Sequence, residues 1–190
     1  HEQELSRVLL FHVHGGGFVS LSSQAHEVYL RAWSVELRIP IVSVDYSLAP
    51  SATFPRASEE CFYAYAWCLL NRHKLGWTGE KIVCTGDSAG GLMVMNVTQR
   101  AVEAGVRVPD ALIPVYAPQL TSFSLSPSRV FALIDPCLNL NILWRCFAAY
   151  TGLDCRAEIV KGKAFMQSGA DTIDPSASSQ PSCLLYTSPS

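Results

Sequence analysis

The run Gly86-Asp87-Ser88-Ala89-Gly90 is the feature that most limits how this chain can fold. It follows a strand-like stretch, Lys81 to Thr85, and precedes a helix-like one, Leu92 to Val102. A serine at such a strand-to-helix junction sits on a sharply bent backbone, and the residues two before and two after it must be small. Gly86 and Gly90 meet that demand. The junction is a nucleophile elbow, and it makes Ser88 the candidate nucleophile.

A second motif, His14-Gly15-Gly16-Gly17, lies upstream directly after the apolar run Val8 to Val13. Attack of a hydroxyl on an ester carbonyl creates an oxyanion that preorganised N–H donors must meet, and glycines present such donors without side chains in the way. The expected donors are the amides of Gly16, Gly17 and Ala89. Gly15 to Gly17 could also form a flexible turn or a phosphate-cradling loop, but no Gly-Lys-Ser/Thr sequence follows it. His14 precedes the serine, whereas this arrangement takes its base from a histidine after the serine. His14 is therefore read as orienting the glycine loop through ring hydrogen bonds. His12 is read as a strand residue, and His26 and His73 as surface or helix-end residues.

Apolar periodicity gives the framework. Strands are expected at about residues 7–13, 39–45, 81–85 and 111–116, with helices at about 25–37, 56–71 and from the elbow to 104. Short strands alternating with longer helices predict a parallel sheet with right-handed crossovers. Residues 122–128 read as a polar linker. Residues 130–150 read as a helical pair interrupted near Pro136, which either covers the sheet or lines an acyl pocket. Cys61 and Cys68, seven apart on a helical pattern, read as packing residues.

The two motifs, with Asp45-Tyr46-Ser47-Leu48-Ala49-Pro50 and Phe54-Pro55, resemble the hormone-sensitive lipase family of α/β-hydrolases, also called the GDXG lipolytic family. Further stretches share the resemblance: Glu59-Glu60-Cys61-Phe62, Thr78-Gly79-Glu80, Gly105 to Asp110 and Ser126-Pro127-Ser128-Arg129. It covers roughly residues 6–152. Leu92 departs from it, standing where the family usually has Asn behind the elbow. The resemblance implies an α/β-hydrolase fold, a central parallel sheet with flanking helices, here truncated at both ends. It also implies a lipid ester substrate, acylglycerols or cholesteryl esters, hydrolysed in the cytoplasm or at a lipid-droplet surface. Ser88 would be catalytic, Gly16, Gly17 and Ala89 would form the oxyanion hole, and His14, Gly15, Gly86, Asp87 and Gly90 would support the two motifs. No cofactor or metal is implied. A non-catalytic ligand binder of the same fold and a small-ester carboxylesterase remain as alternatives.

Composition narrows the classes further. At 190 residues and 49% hydrophobic, the chain can bury one sizeable core. A net charge of −2, with charges scattered, offers no electrostatic footprint for nucleic acid. No apolar run approaches the ~20 residues of a membrane span. His1-Glu2-Gln3-Glu4 lacks the order of a signal peptide and there is no initiating Met, so the start is expected to be cut. Seven cysteines without a Cys-x-x-Cys pair suit reduced thiols of a cytosolic protein.

Residues 1–152 are assigned to a partial catalytic domain and 153–190 to a low-complexity, disordered tail, its last eight residues resembling adapter read-through. No histidine follows His73. The 190 residues alone are thus expected to lack the triad base and to be nearly inactive. Asp135-Pro136 imitates the family's triad-Asp motif, but Asn139 stands where the second acid belongs, so Asp135 is not chosen.

Overall fold

The computed structural model describes residues 5–119 and 126–153. Four strands, β1 (Ser6–Val13), β2 (Ile41–Val44), β3 (Trp77–Asp87) and β4 (Ala111–Val115), form a parallel sheet in the order β2-β1-β3-β4. Three helices connect them in turn: α1 (Glu27–Leu37), α2 (Arg56–Leu70) and α3 (Ala89–Glu103). Beyond β4 lie α4 (Pro127–Phe131) and α5 (Leu140–Thr151).

Burial explains why these segments take these forms. Leu9, Phe11 and Val13 on one face of β1 and Leu10 and His12 on the other are all buried, as in a central strand covered on both faces. On α2, Cys61, Tyr65 and Cys68 recur at helical spacing and are fully buried. Burial pushes the Cys61 thiol up to about 12 and that of Cys68 up to about 11, so both behave as small apolar groups. Met93, Val94, Val97 and Ala101 form the inner stripe of α3. Phe11 meets Tyr65 edge to face at 5.6 Å, and the buried Tyr65 hydroxyl donates to the Arg107 carbonyl at 2.7 Å.

The expected strands and helices are present, with two differences. β3 begins at Trp77 rather than Lys81. Gly79, with φ of 86°, does not end the strand there, because Trp77 is fully buried and pairs with Ser6 across a register irregularity in β1. Pro127 and Ser128, expected in a linker, open α4; residues 122–125 of that linker lie outside the described residues. The helical pair is interrupted around Pro136 as expected, and Asn139 accepts from the Asn141 amide at 2.8 Å to cap α5. Asp135 is spent on a turn, accepting from the amides of Cys137 and Leu138. The expected tail begins at Leu153; from Asp154 onward it lies outside the described residues.

Strand order sets the position of the site. The chain leaves β1 for β2 on one side and returns as β3 on the other, so the order in which the parallel strands are added reverses between β1 and β3. Ligand crevices of open α/β sheets form at the carboxyl ends of strands at such a switch point. Val13 pairs with Gly86 in register, and the residues that follow each strand emerge side by side. Those residues are the two glycine motifs.

Candidate active site

Ser88 lies between β3 and α3 at φ 51° and ψ −118°, a left-handed conformation that a serine holds only when its surroundings enforce it. The surroundings do. The Ser88 amide donates to the Val115 carbonyl of β4 at 2.9 Å, and its carbonyl accepts from Leu92 at 3.3 Å. Its hydroxyl makes no capping bond to α3, although serine is a favoured N-cap. The side chain is left available at the end of the strand.

The flanking glycines are required by contact. A Cβ on Gly90 would lie 2.0 Å from the Val13 carbonyl oxygen and one on Gly86 2.5 Å from the Gly90 carbonyl. Gly91 is also constrained, though less tightly, its Cβ position lying 2.8 Å from the Ala117 Cβ. Leu92, the departure from the family pattern, is half-buried and packs against the core. The elbow accepts it.

On the β1 side, His14 is completely buried and its Nδ1 donates to the Gly15 carbonyl at 2.7 Å. Burial lowers its pKa, so the ring is neutral. It stacks on Tyr46 at 4.2 Å, and the Tyr46 hydroxyl donates to the His14 carbonyl at 3.0 Å. The next turn closes on Gly16, whose carbonyl accepts from the amides of Val19 and Ser20 and from the Ser20 hydroxyl. Gly16 and Gly17 take φ of 110° and 63°, values that favour glycine. Among the described residues, the amides of Gly16, Gly17 and Ala89 donate to no protein acceptor. Helix α5 backs this loop: Phe18 stacks on Tyr150 at 4.1 Å, and the Cβ position of Gly17 is 3.0 Å from Cys146 Sγ. The second helix of the pair therefore reaches the core at the glycine loop.

Asp87 joins the two motifs. A Cβ on Gly15 would meet an Asp87 carboxylate oxygen at 2.5 Å and its carbonyl at 2.8 Å. Burial alone would raise the Asp87 pKa, but the His12 and His26 side chains outweigh it and hold the carboxyl below the usual range. A group depressed in this way stabilises the fold above its unfolded-state pKa of about 4, and that contribution is lost as pH falls through the lower folded value. Denaturant midpoints measured from pH 6 to pH 2 are expected to fall more steeply below about pH 4 for the parent chain than for Asp87→Asn.

His26 corrects the sequence reading. It does end a short 3₁₀ helix, Gln24–His26, but the residue is only 6% exposed and its ring turns inward. His12 sits in β1 as expected, its Nδ1 against Ser43 Oγ at 2.8 Å and its Nε2 against the Tyr29 hydroxyl at 3.2 Å. His73 lies on a second 3₁₀ turn, exposed. None of these four histidines hydrogen-bonds Ser88. Asp45 and Val115 contribute as well: Asp45 accepts from the Ser23 amide at 2.9 Å and Val115 holds the elbow. No spacing rule marks either one. A cleft of about 490 Å³, lined by His26, Tyr29, Asp87 and Tyr116 among others, opens behind the elbow; Ser88 does not line it. No group of His, Cys, Asp and Glu among the described residues could hold a metal ion.

A family model described as the α/β-hydrolase fold matches residues 10–171. The chain belongs to the α/β-hydrolase fold family. Within this family it is 50% identical to mouse hormone-sensitive lipase over 154 residues, covering 81% of this chain and 20% of that protein. It is 51% identical to the human hormone-sensitive lipase over 147 residues, covering 77% of this chain and 14% of the relative. The chain thus spans a fifth or less of the length of these lipases. Among solved structures, the hyperthermophilic esterase of the archaeon Pyrobaculum calidifontis superposes with a TM-score of 0.72 at 30% identity, over 79% of this chain and 50% of the esterase.

Proposed function

We propose that this α/β-hydrolase chain carries the nucleophile and oxyanion hole of a carboxylic ester hydrolase acting on acylglycerols or cholesteryl esters. Ser88 attacks the ester carbonyl and forms an acyl-enzyme, and the amides of Gly16, Gly17 and Ala89 hold the tetrahedral oxyanion. His14, Gly15, Gly86, Asp87 and Gly90 keep the two motifs in contact. The observation that carries this reading is the emergence of the unspent Ser88 hydroxyl and three unspent amides from adjacent, in-register strands. The base that accepts the Ser88 proton is taken to lie outside these 190 residues. Similarity to hormone-sensitive lipases supports the lipid ester as substrate, with peripheral association at a lipid-droplet surface in the cytoplasm. Among the described residues no helix is long and apolar enough to cross a membrane.

The test is covalent trapping. A p-nitrophenyl alkylphosphonate added to the full-length gene product is expected to form a phosphorus–oxygen bond to Ser88, expelling one equivalent of nitrophenolate. Mass mapping then finds the adduct on the peptide containing Ser88. Reversible binding of lipid esters without any adduct would overturn hydrolysis in favour of a non-catalytic binder of the same fold.

A further inference from the structure

The histidine behind the elbow stands in an arrangement that the nucleophile and oxyanion hole do not by themselves explain. His26 Nδ1 faces the Ser22 carbonyl at 3.0 Å, while Nε2 lies 3.3 Å and 3.4 Å from the two oxygens of the Asp87 carboxylate. With Nδ1–H committed to a carbonyl, a neutral ring would turn a lone pair toward the carboxylate. Only the doubly protonated ring makes both faces attractive. At 3.3–3.4 Å the contact to Asp87 is one of charge more than of a tight hydrogen bond.

The other groups around Asp87 supply less counter-charge. His12 also helps to hold that carboxyl low, but its Nε2 is farther off at 3.8 Å, and both of its nitrogens already meet hydroxyls, of Ser43 and Tyr29. From α1 and the end of β4, Tyr29 and Tyr116 bring neutral phenols. His14 is neutral and faces Asp45, 3.7 Å away. Among the described residues no lysine or arginine pairs with Asp87. Yet Asp87 is bonded to the nucleophile residue and lies against Gly15 of the glycine loop. An uncompensated carboxylate there would oppose the negative charge that develops on a tetrahedral intermediate.

We propose that His26 is a positioning and charge-compensating residue that neutralises Asp87, allowing that carboxylate to brace the glycine loop without repelling the oxyanion. This rests on the reading of Ser88 as nucleophile. Compensation acts on the charged intermediate and hardly on the neutral ester, so it governs kcat more than KM.

The experiment uses the full-length gene product with p-nitrophenyl butyrate as substrate and phenylboronic acid as probe, since its adduct on a serine hydroxyl is a tetrahedral anion. His26→Gln keeps a polar side chain but removes the cation; kcat is expected to fall about 10-fold or more, with boronate affinity falling in parallel and KM little changed. Adding Asp87→Asn removes the charge that needed compensating, so the double variant is expected to recover most of both losses. A merely structural role would instead give losses that add or worsen. His26→Asn serves in the same cycle if thermal melts show that the glutamine is not accommodated. Full activity in the His26 variants, or a loss that Asp87→Asn does not relieve, overturns the proposal. Ser88→Ala in the same background separates the two readings: parent-like activity there defeats the nucleophile assignment, whereas loss there beside unaffected His26 variants defeats only the pair.

Discussion

Replacing Ser88 with alanine in the full-length gene product is expected to lower kcat on a short acyl ester by a factor on the order of 10⁶, with KM nearly unchanged. On the proposed reading the hydroxyl forms the bond that splits one difficult step into two easier ones, and nothing else at the elbow replaces it. Binding is retained because the hole and the strand ends remain in place. Residual catalysis of ~10³–10⁴ over water is expected from those elements alone. The variant should fold normally, since the Ser88 hydroxyl caps nothing. Steady-state kinetics together with a thermal melt of both proteins check this; a Ser88→Ala protein with parent-like turnover would refute it.

Gly90→Ala is expected to act through the fold itself, costing more than about 4 kcal/mol. The added methyl would lie 2.0 Å from the Val13 carbonyl oxygen and 2.6 Å from that of His14. Both neighbours are backbone atoms of the central strand and its exit, so relief requires moving α3 away from the sheet. Gly105→Ala is the matched control. It has open space at the Cβ position and φ of 63°, so only the conformational cost of about 1 kcal/mol applies. Urea unfolding of the two variants measures the contrast, and similar midpoints would show that the elbow tolerates separation from β1.

The difference between these glycines also shows why parts of the molecule can be read from its sequence. At Gly86 the constraint is mostly the Gly90 backbone across the sharp turn, and at Gly90 it is the backbone of β1 and its exit, yet the motif's spacing exposes both. The alternation of apolar strands with helices such as α2 and α3 is legible for the same reason, because periodicity records which face is buried. Trp77 and Gly79 mislead because a glycine at positive φ normally ends a strand. Here a buried indole and a register shift against β1 hold the strand together across it. His26 was unreadable for a different reason. Its burial comes from a 3₁₀ turn that folds over the carboxyl end of β1, and no period links it to Asp87, 61 positions later. Asp45 and Tyr46 lay within a motif of the family resemblance, but only the structure assigns them a contact with His14. The serine and its glycines are legible as a fixed spacing, whereas the charges around them depend on which strands become neighbours.

The bond from the Ser88 amide to the Val115 carbonyl gives the elbow an anchor on a different strand from the one that delivers it. Strained backbone released from such an anchor relaxes toward commoner angles. The geometry of Ser88 is therefore only as durable as the seating of β4, a strand whose Ile113 is 51% exposed and which stands at the border of the described sheet. Amide hydrogen exchange at Ser88 thus reports on the opening of β4, and a ligand that clamps this border strand would slow exchange at the serine without touching it.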